Sequence, residues 1–218
     1  MARVRALVAL LLAALVVAAP ALPADAGAPV ATSGPTSAPA GDGPRLKARI
    51  VFVKDYDHPW RSEVVWRVTR RQADGDVVLR DRKSWRAGSG FGGGSTTDPC
   101  VRNVGWLPDG RYRVTQHANY QGSLIHGRAF FLGAKECPDG TLRTDLFLHT
   151  ETGDRNRQCA NRPGDQICRW EAPKVNDWRS HGCIKMDPAS LRQLTRHFHR
   201  WFDAGVRYPA RRVSLRVR

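Results

Sequence analysis

Glu63-Val64-Val65-Trp66-Arg67-Val68-Thr69-Arg70 is the stretch that indicates the fold class of this chain, because Val64, Trp66 and Val68 alternate with mostly polar residues. Such a period of two is typical of a β-strand with one buried face. Just upstream, residues 48–53 form an apolar, β-branched run that fits a largely buried strand. Together these two runs predict a mainly β domain.

More strands and turns follow along the chain. Asp74-Gly75 is a turn signal, and residues 77–80 would be the return strand of a hairpin. Leu107-Pro108-Asp109-Gly110 is a turn that leads into an alternating strand over residues 111–114. Two further strands are predicted over residues 129–132 and 144–149, separated by the turn Pro138-Asp139-Gly140.

One helix is well marked near the C-terminus. Asp187 can accept hydrogen bonds from free backbone amides as N-cap, and Pro188 suits the first helical position. Gly205 is placed to end the helix. The large apolar residues that recur at helical spacing predict a core-facing stripe: Leu191, Leu194, Phe198, Trp201 and Phe202.

The chain divides into three segments. Residues 1–26 are typical of a secretory signal peptide, with a basic start, an apolar run over 6–19 and the small-x-small sequence Ala24-Asp25-Ala26. A retained membrane anchor is the alternative. Residues 27–45 are rich in Pro, Ala, Gly and Ser and predict a flexible linker. Residues 46–218 are long enough for one domain with a sizeable core.

The chain is strongly basic, with 35 Lys and Arg against 20 Asp and Glu and a net charge of +15. This charge attracts polyanions, which for an exported protein means anionic cell-wall polymers. No helix-turn-helix, zinc-finger or RNA-binding pattern is present, so no nucleic-acid partner is expected. No second stretch could span a bilayer, so no membrane contact is expected once the signal is removed. A surface that is merely basic is the alternative interpretation.

Five cysteines leave at least one thiol unpaired, and export places them where disulfides persist. If Cys183 is the free thiol, the other four allow three pairings. The pairing we favour joins Cys159 to Cys168 around a Pro-Gly turn and Cys100 to Cys137 across the domain. The alternative for Cys183 is an inert, buried thiol.

The neighbours of Cys183 favour a chemical role. A thiol is mostly protonated at neutral pH and needs a base or a cation nearby to become a nucleophile. His181 is two residues away, and His149 ends a predicted strand, which is a rigid position for a catalytic group. Gly182 allows the backbone to approach a substrate carbonyl, and the amides of Gly182 and Cys183 are candidates for an oxyanion hole.

Ser180-His181-Gly182-Cys183-Ile184 resembles the signature of the L,D-transpeptidases, secreted bacterial enzymes that remodel peptidoglycan. The segment 107–112 is similar to the family's Thr-Pro-x-Gly-x-Phe segment. The resemblance implies a β-sandwich-like catalytic domain, secreted or cell-wall associated, that needs no metal or organic cofactor. It implies that a peptidoglycan stem tetrapeptide forms a thioester with the cysteine, with release of the terminal D-Ala. The acyl group then passes to an amine, giving a 3→3 cross-link, or to water.

Carried over position by position, the resemblance makes Cys183 the nucleophile and His149 the general base. The backbone carbonyl of Thr150 would orient that base, and Ser180, His181 and Gly182 would frame the nucleophile. Along the chain, the catalytic residues assigned in this way are His149, Thr150, Ser180, His181, Gly182 and Cys183.

This chain departs from the family pattern at two places. Lys185 stands where the family has Arg or Asn, on the substrate side, so a bidentate carboxylate contact is lost. Thirty residues separate His149 from Ser180, about twice the usual gap, and the predicted Cys159–Cys168 hairpin would account for the excess. His126 precedes a glycine in the family manner and is a competing base.

Two other classes of protein are alternatives to an L,D-transpeptidase. A sortase-like cysteine transpeptidase would need a Thr-Leu-x-Thr-Cys run, which is absent, and a non-catalytic basic wall-binding module would leave Cys183 without a role. A zinc site from His149, His181 and Cys183 lacks paired ligand spacing, so no metal is expected. The run Gly88-Ser89-Gly90-Phe91-Gly92-Gly93 fits a dinucleotide-binding motif, but no helix pattern follows, so a flexible surface loop is predicted.

Overall fold

The computed structural model describes residues 46–91, 97–153, 155, 157–160, 178–202 and 212–218. The predicted signal peptide (1–26) and linker (27–45) lie outside the described residues, as do Gly92, Gly93, Cys168 and Gly205. Within the described residues, no helix is long and apolar enough to cross a bilayer.

The first five-stranded sheet, called sheet A below, has the strand order β3-β2-β1-β12-β5. Neighbouring strands are antiparallel except for β1 and β12, which are parallel. Its strands are β1 (Leu46–Val53), β2 (Glu63–Arg71), β3 (Val77–Arg86), β5 (Gly110–Arg113) and β12 (Val213–Val217). A short 3-10 helix (Pro59–Arg61) connects β1 to β2.

The second five-stranded sheet, called sheet B, has the strand order β4-β11-β8-β7-β6. Its β11 runs parallel to β8, and its other neighbours are antiparallel. Its strands are β4 (Gly88–Ser89), β6 (Thr115–Gln121), β7 (His126–Glu136), β8 (Leu142–His149) and β11 (Ile184–Lys185). A separate pair joins β9 (Thr152–Gly153) to β10 (Arg157–Gln158).

The prediction of a mainly β fold is confirmed, and each strand predicted from the sequence is present. The hairpin strand predicted over 77–80 continues to Arg86 as β3. Two strands of five or more residues were not predicted, β6 and β12. In β6 polar residues dominate, so the chain shows little alternation there, whereas Val213, Leu215 and Val217 of β12 do alternate and carried a usable signal.

Both sheets and the helix share one apolar core. The inward side chains of sheet A, such as Ile50 and Trp66, meet Phe130 and Leu148 of sheet B and Phe198 of the helix. All five are almost fully buried. Each large apolar side chain buried in this way stabilises the fold by about 1.5–3 kcal/mol relative to exposure. The core therefore holds the strands of both sheets in fixed relative positions.

Helix α1 (Pro188–Trp201) begins where the sequence predicts. The Asp187 carboxylate accepts hydrogen bonds from the amides of Ala189 at 2.9 Å and Ser190 at 3.0 Å. Helical hydrogen bonding ends at Phe202, and the predicted end at Gly205 lies outside the described residues. The predicted apolar stripe is largely in the core: Leu191, Leu194, Phe198 and Phe202 are buried, and Trp201 packs partly against them.

A partly buried carboxylate fixes α1 to sheet A. Asp81 Oδ2 accepts hydrogen bonds from Trp66 Nε1 at 3.1 Å and Trp201 Nε1 at 2.8 Å, and lies 2.7 Å from His197 Nδ1. Burial raises the pKa of Asp81, but the hydrogen bonds from His197, Trp201 and Trp66 and the charge of His197 outweigh it, so the pKa is lowered overall. The carboxylate thus stays ionised and keeps the helix in place just after the cysteine segment.

Candidate active site

Strand pairing brings the segments of Cys183 and His149 together. Cys183 immediately precedes β11, and β11 runs parallel to the end of β8 with Ile184 opposite Leu148 and Lys185 opposite His149. The predicted nucleophile therefore directly precedes a strand that is the neighbour of the strand ending at the predicted base, although 34 positions separate the two residues. Among the hydrogen bonds of the described residues, none joins the two side chains directly. Catalytic hydrogen bonds often form only when a substrate is bound.

The thiol of Cys183 is free and lies against β8. Its Sγ donates to the Asp145 carbonyl at 3.6 Å. Asp145 has a positive φ of 54°, a conformation that is uncommon for a residue other than glycine and is often found at functional sites. Burial raises the pKa of Cys183 to about 11, although a hydrogen bond from the Phe147 backbone and the charge of Arg143 oppose this. At neutral pH the sulfur is therefore a protonated thiol.

His149 is held in one tautomer. Its Nδ1 lies 2.6 Å from the carbonyl oxygen of Thr150, so the Nδ1–H donates there and Nε2 is left with its lone pair. Burial, followed by the nearby Lys185 ammonium, lowers the pKa of His149 to about 4, and the hydrogen bond to Thr150 works in the opposite direction. The ring is therefore neutral at neutral pH, with a nitrogen available to accept a proton.

Ser180 organises the segment before Cys183. Its Oγ donates to the Cys183 carbonyl at 2.5 Å and accepts from the amides of Gly90 at 3.2 Å and Gly182 at 3.3 Å. The Ser180 amide in turn donates to the Gly90 carbonyl at 2.9 Å. The backbone amides of Gly182 and Cys183 are the pair expected to form an oxyanion hole. The Gly182 amide already donates to Ser180 Oγ, so the Cys183 amide is the one that remains for this role.

The prediction of a flexible surface loop at 88–93 is wrong for its first three residues. Gly88 and Ser89 form β4, which pairs with β11, and Gly90 is also buried. A Cβ added at Gly88 would lie 2.7 Å from the Cβ of Trp178, so these glycines permit close packing. The sequence shows a cluster of glycines, which is equally compatible with a loop and with a packed strand. The contacts of Gly90 with Ser180, 90 positions away, show that the segment is packed.

Arg143 is the site residue that sequence reasoning missed. It lies on β8, is 3% exposed, and donates to the His181 carbonyl at 3.0 Å and the Gly105 carbonyl at 3.4 Å. It also contacts the Pro99 carbonyl. Burial lowers the pKa of Arg143, and the charge of Cys183 acts against this. Arg143 directly precedes the strand predicted over residues 144–149, and the local sequence does not indicate that its side chain turns inward.

The arginine also explains the glycine in the motif. Gly182 has a positive φ of 114°, and a Cβ at this position would collide with Nη2 of Arg143. Both the backbone conformation and the neighbouring guanidinium therefore require glycine before Cys183. This placement also keeps a positive charge within reach of the Cys183 sulfur.

The His181 ring contacts a neighbouring loop. Its side chain is exposed, its Nδ1 lies 2.6 Å from the Asn103 carbonyl, and its ring packs edge-on to Phe91 at 5.1 Å between centroids. The Nδ1–H of His181 therefore donates to this loop and Nε2 keeps its lone pair, as in His149. Among the hydrogen bonds of the described residues, none joins the His181 ring to the Cys183 sulfur.

Lys185, predicted to contact substrate, is buried and forms an ion pair with Glu151. Burial lowers the pKa of Lys185 to about 8, while the contact with the carboxylate favours the charged form. The ammonium therefore remains mostly protonated at neutral pH. Its position opposite His149 in the sheet makes it part of the electrostatic surroundings of the imidazole.

The competing base, His126, lies one strand further from Cys183 than His149 does. It begins β7, its Nδ1 lies 3.2 Å from Gln121 Oε1, and its backbone amide donates to Thr152 Oγ1. In the described residues its buried Nε2 has no hydrogen-bond partner. In sheet B, β8 lies between β7 and β11, and the pairing of β7 with β8 begins at Phe130, so His126 lies beyond the end of β8 and next to Thr152.

The predicted disulfide between Cys100 and Cys137 is present, with 5.8 Å between the Cα atoms. Cys159 is also disulfide-bonded, and its predicted partner Cys168 lies outside the described residues. Within the described part of the chain, one group has metal-ligand spacing, Cys100, Cys137 and Asp139. Both of its sulfurs are used in the disulfide, so it offers a single carboxylate and no metal site.

Neither family models, nor curated proteins, nor solved structures give a match to this chain. The features that bear on function are therefore residues of the chain itself: a free thiol, a neutral imidazole with a fixed tautomer, and a buried guanidinium behind the cysteine segment.

Proposed function

We propose that this protein is a secreted cysteine acyltransferase of the L,D-transpeptidase type that acts on peptidoglycan stem peptides. The observation that carries the proposal is the pairing of β11 with β8, which places the free thiol of Cys183 beside the strand that ends at His149. The motif around Cys183 supplies the substrate class through its resemblance to that family, including a β-sandwich-like arrangement of the catalytic domain.

The resting site holds a thiol and a neutral imidazole, because the pKa of Cys183 is about 11 and that of His149 about 4. A preformed thiolate–imidazolium pair is therefore disfavoured before substrate binds. In the proposed reaction Nε2 of His149 accepts the Sγ proton as the sulfur attacks the stem-peptide carbonyl. The Thr150 carbonyl stabilises the imidazolium through Nδ1–H.

The first half-reaction ends with a thioester. The C–S bond forms, the carbonyl oxygen becomes an oxyanion near the Cys183 amide, and the peptide C–N bond then breaks. The leaving D-Ala amine takes the proton back from His149. An incoming amine or water next attacks the thioester, His149 accepts its proton, and the thiol of Cys183 is restored as the acyl group leaves.

A mass measurement tests the proposal. The mature protein is incubated with a carbapenem, which we expect to acylate Cys183 and add its own mass, with the adduct on the peptide that contains Cys183. Tetrapeptide stems should lose D-Ala under the same conditions. Cys183→Ala should give neither result. If wild-type protein shows no adduct and releases no D-Ala, the transpeptidase proposal is wrong.

Two histidine variants separate the candidate bases. His149→Gln should slow acylation by roughly two to four orders of magnitude, the usual contribution of a general base. His126→Gln is the matched control, since His126 begins β7, which is not a neighbour of β11, and it should retain nearly the wild-type rate. The reverse result would assign the base to His126.

A further inference from the structure

The outer face of sheet A carries arginines that lie side by side on neighbouring strands. Arg49 of β1 is directly opposite Arg67 of β2, and Arg67 is directly opposite Arg82 of β3. All three side chains are exposed. Strands are about 4.8 Å apart in a sheet, so the three cations form a continuous row.

The row continues across the other half of the sheet. Arg216 of β12 lies opposite Arg111 of β5, and Ser214 lies opposite both Arg49 and Arg113. From β3 to β5 the face spans four strand spacings, about 19 Å. We call the exposed arginines at 49, 67, 82, 216 and 218, with those at 111 and 113, the arginine face.

Nothing within the described residues neutralises the arginine face. None of its guanidinium groups makes an ion pair or a hydrogen bond in this part of the chain. Among the outward strand positions of sheet A, one acid is present, Glu63, and it lies opposite Arg86 at the end of β2. Like charges directly opposite each other on a sheet destabilise it. Such an arrangement is best explained by a ligand that supplies the missing negative charge.

The face is concave at its centre. A depression of about 110 Å³ is lined by five arginines, with Val51 and Val65 also in its wall. The two valines are 8% and 9% exposed, so they offer no apolar side chain that could insert into a bilayer. No aromatic side chain lies on the outward positions opposite these arginines, so stacking of nucleobases has no platform here.

We propose that the arginine face binds a linear, phosphate-bearing polymer. A guanidinium group binds phosphate oxygens with two parallel hydrogen bonds, and a row of them matches a chain with repeated phosphates. The inner side of sheet A packs on the common core, so the outer face is separate from Cys183 on sheet B. A polymer held there would leave the thiol accessible, and the face would act as an attachment surface independent of catalysis.

Binding of inorganic polyphosphate to the folded protein tests this proposal. Affinity would be measured by titration calorimetry at several salt concentrations for wild type and for the triple variant Arg49→Gln/Arg67→Gln/Arg82→Gln, called the face variant. The matched control is Arg128→Gln/Arg157→Gln/Arg196→Gln, which removes the same charge from exposed positions off the face. A third protein, with Arg49, Arg67 and Arg82 changed to Lys, keeps the charge but loses the planar fork.

The face variant should bind polyphosphate at least tenfold more weakly than the control variant. The slope of log affinity against log salt should fall by about 2, since each phosphate contact on a single strand contributes about 0.7. The Lys variant should lie between wild type and the face variant. Thermal unfolding should show that the face variant is no less stable than wild type, because it removes repulsion.

Two results would overturn the proposal. One is an equal loss in the face and control variants, which would mean that net charge alone attracts the polymer. The other is binding to phosphatidylglycerol vesicles through the face without binding to polyphosphate, which would assign the face to a bilayer. Neither readout depends on Cys183, so the outcome is independent of the transpeptidase proposal.

Discussion

The Nη2 of Arg143 donates a hydrogen bond of 3.0 Å to the backbone carbonyl of His181, two residues before the free thiol of Cys183. The same guanidinium contacts carbonyls of the 97–109 loop. Arg143 thus joins three parts of the chain, β8, this loop and the cysteine segment, and places a positive charge near the sulfur. Its contacts show how the fold positions the cysteine.

We predict that Arg143→Gln slows alkylation of Cys183 and lowers stability. Loss of the positive charge raises the pKa of the thiol further, so the alkylation rate by iodoacetamide at a fixed alkaline pH should fall severalfold. Carbonyls left without a donor should reduce the free energy of unfolding by about 1–3 kcal/mol. The exposed Arg128→Gln is the control, and equal behaviour of the two variants would contradict the assigned role.

The pH dependence of acylation should reveal the depressed pKa of His149. The base works when neutral, so the acid limb of kcat/KM should have its midpoint near pH 4, well below the ordinary 6.5. In the unfolded chain the same group binds a proton below about 6.5. Its contribution to stability is therefore complete above that pH and is lost as the pH falls toward 4. An acid limb near 6.5 would show that the ring is charged more readily than its burial implies.

Removing one partner of the Lys185–Glu151 ion pair should destabilise the protein more than removing both partners. Glu151→Gln leaves the buried ammonium unpaired and should lower the free energy of unfolding by about 2 kcal/mol, less than for a fully buried pair because Glu151 is partly exposed. The double variant Lys185→Met/Glu151→Gln should recover much of this loss in urea denaturation.

The same double variant also tests the electrostatics of His149. Removing the ammonium should raise the pKa of the imidazole, so the acid limb of acylation should move to higher pH. An unchanged acid limb would mean that Lys185 does not influence the imidazole.

Removal of the Cys100–Cys137 disulfide should affect both stability and the site. The bond closes a loop of 37 residues in sequence separation, so Cys100→Ala/Cys137→Ala should lower the free energy of unfolding by about 4 kcal/mol. Pro99, next to Cys100, accepts from Arg143, so the rate of Cys183 acylation should fall as well. If the acylation rate of Cys183 is unchanged at temperatures below the unfolding transition, the loop that carries Pro99 does not influence the site.

Local patterns predicted much of the fold and part of the site. Alternation identified β2 and β5, and an apolar, β-branched run identified β1. The sequence Asp187-Pro188 located the start of α1 to the residue, because strand faces and helix caps depend on side chains close in sequence. The odd number of cysteines pointed to Cys183, whose thiol is free. These are properties that a short stretch of chain carries wherever it is placed.

Long-range contacts decided the rest. Arg143 turns inward because the carbonyls of His181 and Gly105, both 38 positions away, meet there. Gly88 to Gly90 form a packed edge of sheet B because Ser180 and β11 lie beside them, and the arginine face exists because strand register aligns Arg49, Arg67 and Arg82. Register and burial arise when distant segments pack around one core, so the sequence alone determined which residues could react and the tertiary structure determined what surrounds them.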